Sequence, residues 1–163
     1  MAMTSMEYGI FDLDHTLSDS SFRDRLLKAD RYDCQGLIAS MTNRDWDNYH
    51  AHCGDDPPKS EVVRLYCGVR ATKMRTIIVT ARPVKYERQT RQWLKDHNIE
   101  FDHLLMRPAN NKHPSSVLKI DLVAKLLGVN WSRRVAFVVD DHVGVIDAFG
   151  KFGVIGLLCK HNN

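Results

Sequence analysis

The chain has 163 residues, 44% hydrophobic and 26% charged, which suits a single domain with a core large enough to need neither disulfides nor structural metal and excludes a disordered chain. A net charge of +3 permits a phosphate-rich partner without demanding one, and no segment is repeated or of low complexity. The four cysteines form no C-x-x-C pair, no secretory leader precedes the first apolar run, and no run is long enough to span a bilayer, so a soluble cytoplasmic protein with reduced thiols and no zinc or membrane partner is expected.

The first element is an apolar strand from Tyr8 that runs into Asp12 and Asp14 and then Thr16. After it, from Ser18 to about Pro58, comes a polar stretch with helical pieces near Phe22 to Lys28 and Asp45 to Cys53, which reads as a small, mainly helical cap inserted after the first strand. A cap of about 40 residues excludes some water without enclosing a substrate, so large substrates stay possible. Four more apolar runs follow at Thr76 to Thr80, Leu104 to Met106, Val135 to Val139 and Val154 to Leu158. Between them, 59–73 presents Val62, Val63, Leu65 and Tyr66, 84–97 presents Tyr86, Trp93 and Leu94, and 115–128 presents Leu118, Leu122, Leu126 and Leu127 at helical spacing. The alternation predicts an α/β fold, a three-layer Rossmann-like parallel sheet whose function lies at the carboxyl ends of its strands.

Chemistry-bearing residues gather on that rim. Asp12 and Asp14 end the first strand, Thr80 and Arg82 the second, and Asp140 and Asp141 the fourth, while Lys119 opens the helix before the fourth strand, with Lys112 and Lys125 as rival lysines. Any one of these is explained by a turn, a helix cap or a solvated lysine. Two carboxylate pairs on one edge repel unless a cation neutralises them, and an all-oxygen donor set favours Mg2+.

In that order, Asp12-Leu-Asp14-His-Thr16, Thr80-Ala-Arg82, Lys119 and Asp140-Asp141 resemble the four motifs of the haloacid dehalogenase-like phosphohydrolase superfamily, over nearly the whole chain. The resemblance implies an enzyme in which Asp12 is the nucleophile that forms an aspartyl phosphate and Asp14 the general acid and base. Mg2+ would be held by Asp12, the backbone carbonyl of Asp14 and one of Asp140 and Asp141, with Thr80 and Lys119 on the phosphoryl oxygens. His15 departs from the glycine usual at its position. Thr80-Ala-Arg82-Pro, Tyr86 to Leu94, Leu105-Met-Arg107-Pro, Asp45-Trp46-Asp47 and Val138 to Ile146 further resemble the 3′-phosphatase domain of bacteriophage-type polynucleotide kinases. No Gly-x-x-x-x-Gly-Lys-[Ser/Thr] loop is present, which implies phosphatase without kinase.

The resemblance points to removal of 3′-phosphates from DNA or RNA ends, with Thr16, Arg82, Arg107 and Trp46 touching substrate. Arg82, Arg88, Arg91 and Arg107, with Lys112 and His113, would form a basic rim for a nucleic-acid backbone, and Trp46 and Tyr49, exposed in the cap, would stack a base. His50 and His52 read as surface residues. A 5′(3′)-nucleotidase acting on nucleoside monophosphates is the alternative, and a non-catalytic binding module is a third reading that the presence of both Asp12 and Asp14 opposes.

Overall fold

A computed structural model describes residues 7–28 and 43–160. Five strands, β1 (Tyr8–Phe11), β2 (Arg75–Pro83), β3 (His103–Arg107), β4 (Val135–Asp140) and β5 (Ile155–Leu158), form one wholly parallel sheet in the order β3-β2-β1-β4-β5. Between them run helices α1 (Ser21–Lys28), α2 (Asn43–Ala51), α3 (Ser60–Ala71), α4 (Glu87–Asp96), α5 (Ser115–Leu127) and α6 (Val143–Gly150). Among the described residues no helix is long and apolar enough to cross a membrane.

Successive strand side chains point to opposite faces, and both faces are covered. Ile10, Ile77, Val79 and Val138 pack with Val123 and Leu127 of α5 and Phe149 of α6, while Phe11, Ile78 and Val139 pack with Tyr66 of α3 and Trp93 and Leu94 of α4. The chain proceeds outward from β1 through β2 to β3, then returns to the other side of β1 for β4 and β5. Strand order therefore reverses between β1 and β4, which opens a crevice beyond their carboxyl ends. The acidic strand ends meet in that crevice.

Two details depart from the sequence expectation. Leu65 is 47% exposed, and the inward face of α3 centres instead on buried Tyr66, whose hydroxyl donates to the Glu100 carbonyl at 2.6 Å and lies 2.8 Å from Thr76 Oγ1. Adjacent helical residues point about 100° apart, and on α3 it is Tyr66 that the helix turns to the sheet. Helix α6 is marked weakly in the sequence, because its eight residues are too short a window for the spacing of Val145 and Phe149 to stand out. It seats closely on β5 because residue 156 is glycine: a Cβ there would lie 2.4 Å from Ile146 Cγ2.

The segment between β1 and α3 leaves and rejoins the core at one place. Ser18 bridges to Asp14 and to Pro58, Asp19 N donates to the Pro57 carbonyl at 2.8 Å, and Lys59 N donates to the Leu17 carbonyl at 2.8 Å. Cys53, Cys67 and Cys159 are free thiols, and Cys34 lies outside the described residues.

Candidate active site

Asp12 follows β1 directly, its backbone N–H donating to the Val139 carbonyl at 2.9 Å, so the parallel ladder itself fixes its place beside the end of β4. Its carboxylate is 4% exposed. Lys119, buried on α5, donates from Nζ to Asp12 Oδ1 at 2.6 Å and to Asp140 Oδ2 at 2.7 Å, and Thr16 donates from Oγ1 to Asp12 Oδ2 at 3.3 Å. The His142 backbone N–H donates to the other Asp140 oxygen at 3.0 Å. Oxygens of Asp12, Asp140 and Asp141 lie within 4.8 Å of one another.

Lys119 bonds two of the three carboxylates of this cluster, Asp12 and Asp140. Burial pushes the Asp12 carboxyl up to about 7, with the charges of Asp140 and Asp14 adding to it and Lys119 opposing. Burial also raises Asp140 against the same lysine. A compact set of three carboxylates with all-oxygen donors fits a hard divalent cation, so the residues present suit Mg2+.

Asp14 sits in a different environment. Arg82 donates from Nε to both its oxygens at 2.9 and 3.0 Å and from Nη2 to Oδ1 at 2.7 Å, and Arg23 Nη2 donates to Oδ1 as well. Thr80 Oγ1 lies 3.4 Å from Oδ2 and Ser20 Oγ donates to Oδ1 at 3.2 Å. Burial acts to raise this carboxyl, but the charges of Arg82 and Arg23 outweigh it and hold it well below the usual range. Behind the two arginines lies Asp56, taking Arg23 Nε at 2.9 and 3.0 Å and Nη2 at 2.5 Å, with Arg82 Nη2 at 3.5 Å. Two carboxylates and two guanidiniums make this second cluster neutral, so burying it is sustainable.

Arg82 is wholly buried, so it is no part of an exposed basic rim, because β2 carries it inward to Asp14 and to Thr90 Oγ1 at 3.3 Å. Arg107 spends Nε on the Ala81 carbonyl at 3.0 Å and Nη1 on the carbonyls of Asn111 and His113 at 3.2 and 2.8 Å, which ties the loop after β3 to β2. Arg88 and Arg91 are exposed on α4, Arg91 paired with Glu87 at 2.7 Å. Tyr49 is 7% exposed rather than open to a base, since Arg23 lies 4.3 Å over its ring. His50, expected at the surface, is also 7% exposed, packed between Trp46, Tyr49 and Tyr86. An amphipathic α2 turns Tyr49 and His50 inward and leaves Trp46 37% exposed.

Arg23, Asp56 and His50 are the functional-site residues that sequence reasoning missed. Arg23 and Asp56 pair across 33 residues, and His50 is buried partly by Tyr86 from another element, so no local spacing marks them.

Residues 27–163 match the family described as the polynucleotide kinase PNKP phosphatase domain. The chain belongs to this family. Asp12 and Asp14 precede the matched span, while Thr80, Arg82, Lys119, Asp140 and Asp141 lie inside it. As a member it is a haloacid dehalogenase-like phosphatase, and solved structures share the fold. A chain of the Pnkp1/Rnl/Hen1 RNA repair complex is similar at 20% identity with a TM-score of 0.72 over 98% of this chain and 44% of its own. The protein thus spans less than half the length of that relative. A haloacid dehalogenase-like hydrolase from Streptococcus pneumoniae is similar at 16% identity and TM-score 0.65 over 96% of this chain and 85% of its own. CbbY from Rhodobacter sphaeroides, solved with phosphate, is similar at 12% identity and TM-score 0.66 over 96% and 87% of the two chains. No curated protein sequence matches.

Proposed function

We propose that the protein is a Mg2+-dependent phosphomonoesterase that removes 3′-phosphates from nucleic-acid ends through a phosphoaspartate on Asp12. The observation that carries the reading is Lys119 bridging Asp12 and Asp140 inside a compact cluster of three carboxylates, beside a fourth carboxylate gripped by two arginines. Nucleic-acid ends as the substrate are supported by the family match and by likeness to a chain of an RNA repair complex.

In the first half-reaction an Asp12 oxygen bonds to phosphorus as the ester oxygen departs with the bonding pair, and that oxygen needs a proton. Lys119 and Thr80 hydrogen-bond the transferring phosphoryl oxygens, and Thr16 orients the Asp12 carboxylate. Asp12, Asp140, Asp141 and the Asp14 carbonyl would hold Mg2+, which would supply positive charge opposite a phosphate dianion at the cluster. Gripped by Arg82 and Arg23, Asp14 is favoured as the ionised carboxylate, suited to deprotonate the water that hydrolyses the phosphoaspartate. For it to give a proton in the first step, an incoming phosphate must draw Arg82 toward itself and release the carboxyl. The segment from Ser18 to Pro58 serves as a cap in a single-domain chain, with Trp46 and Arg107 at the substrate rim.

The test is phosphate release from 3′- and 5′-phosphorylated DNA and RNA and from mononucleotides, with Mg2+ and with chelator. Preference for 3′-phosphorylated ends, abolished by chelator, is the expected outcome. Turnover of mononucleotides alone makes it a nucleotidase, and binding without turnover makes it a recognition module.

A further inference from the structure

We infer that α2 and Arg23 form a subsite for the nucleoside that leaves on dephosphorylation, with Trp46 stacking the base and the buried nitrogens Arg23 Nη1 and His50 Nδ1 bonding sugar oxygens. The inference rests on the phosphomonoesterase reading and names the part of the substrate that the catalytic cluster does not hold.

Among the described residues, Arg23 Nη1 and His50 Nδ1 are the buried side-chain polar atoms that lack a hydrogen-bond partner. Arg23 is 0% and His50 7% exposed, and leaving such a group unsatisfied costs about 1–3 kcal/mol each. Both flank one ring: the Arg23 guanidinium lies 4.3 Å over Tyr49, and the Tyr49 and His50 rings are 5.1 Å apart. The neighbouring nitrogen of Arg23, Nη2, already holds Asp14, the group that faces the departing oxygen. What Nη1 meets is therefore the next part of the leaving alcohol. The Tyr49 ring between them joins His50 to Arg23, and burial keeps the His50 imidazole neutral by lowering it to about 4. A neutral ring nitrogen either donates or accepts, which suits a hydroxyl or ring oxygen better than a second phosphate.

Trp46 completes the wall. Its indole stacks on His50 at 5.9 Å and 22° while staying 37% exposed, the one side chain of this group that offers substantial aromatic surface to an incoming base. The wall is braced from behind, since Tyr86 donates its hydroxyl to the Asp47 carbonyl at 3.0 Å and Lys85 pairs with the Asp47 carboxylate.

The experiment compares kcat/KM for a nucleoside phosphate with that for p-nitrophenyl phosphate, whose leaving group has neither sugar nor base, in the wild type and three variants. His50→Phe keeps the ring and removes the nitrogen, His50→Asn keeps a polar atom near the Nδ1 position, and Trp46→Ala removes the stacking surface at an exposed position that tolerates truncation. The expected result is that the ratio falls about tenfold in His50→Phe and in Trp46→Ala and stays within about threefold of wild type in His50→Asn. A wild-type protein that does not favour the nucleoside phosphate, a Trp46→Ala ratio equal to wild type, or equal ratios in the two His50 variants overturns the inference. Turnover of nucleoside phosphates without preference for the 3′ position overturns only the proposed 3′ specificity, and the ratios are then read on the isomer that is turned over.

Discussion

Asp12 combines two demands that oppose each other. As the proposed nucleophile it must be ionised, yet burial and the neighbouring charges of Asp140 and Asp14 push its carboxyl up to about 7, from an unfolded value of 3.8. A folded value above the unfolded one contributes stability that is present below pH 3.8 and is lost as pH rises through about 7. Thermal melts of chelator-treated protein are expected to show this loss for the wild type and not for Asp12→Asn, which carries no titrating carboxyl. The same substitution is expected to cut phosphate release by about a thousandfold or more, because no other group replaces the attacking oxygen. Asp14 answers differently: replacing Arg82 by Lys loses the two-nitrogen grip, and kcat is expected to fall about tenfold or more in single-turnover assays while the fold survives.

At the scale of elements, a buried charged network ties the described residues of the inserted segment to the sheet, beside the buried Tyr49 and Cys53. Arg23 on α1, Asp56 before α3 and Arg82 at the end of β2 meet around Asp14, and the Trp93 indole of α4 donates to the Asp56 carbonyl at 2.6 Å. Asp56→Ala leaves two buried guanidiniums, Arg23 and Arg82, sharing the single carboxylate of Asp14, so a loss of about 3–5 kcal/mol is expected in urea unfolding, far more than a surface carboxylate contributes. On the opposite side, α6 approaches β5 closely enough that Gly156→Ala must displace Ile146, and a loss of about 1–3 kcal/mol is expected from the same measurement. These two elements were read unequally from sequence. Helix α4, with Trp93 and Leu94 at helical spacing, was plain, whereas α6 is too short and too apolar to show a period.

For the whole molecule, the sheet places a cluster of three carboxylates beside a second cluster of two carboxylates and two guanidiniums, so the proposed metal links site occupancy to stability. Mg2+ bound only by the folded protein is expected to raise stability by about 2.7 kcal/mol at a hundredfold excess over its dissociation constant, with a matching rise in Tm that chelator reverses. Asp12→Asn is expected to blunt this rise, because it removes one of the three oxygen donors. A Tm that ignores Mg2+ in the wild type would refute the metal assignment without touching the fold.

The sequence by itself determined the strands, their parallel alternation with helices, and Asp12, Asp14, Thr80, Lys119, Asp140 and Asp141, because each is a strand end or helix start and its position follows from local pattern. It also marked Trp46 as a candidate for substrate. Only the tertiary structure decided what surrounds them: that Arg82 lies inward on Asp14, that Arg107 is spent on carbonyls of its own loop, that Tyr49 and His50 are buried, and that Arg23 and Asp56 belong to the site at all. The physical reason is that periodicity records which face of an element is apolar, while a buried ion pair joins residues from separate elements and leaves no trace in the spacing of either. The carboxylate cluster around Lys119 is of the same kind, since it exists only where β1, β4 and α5 converge.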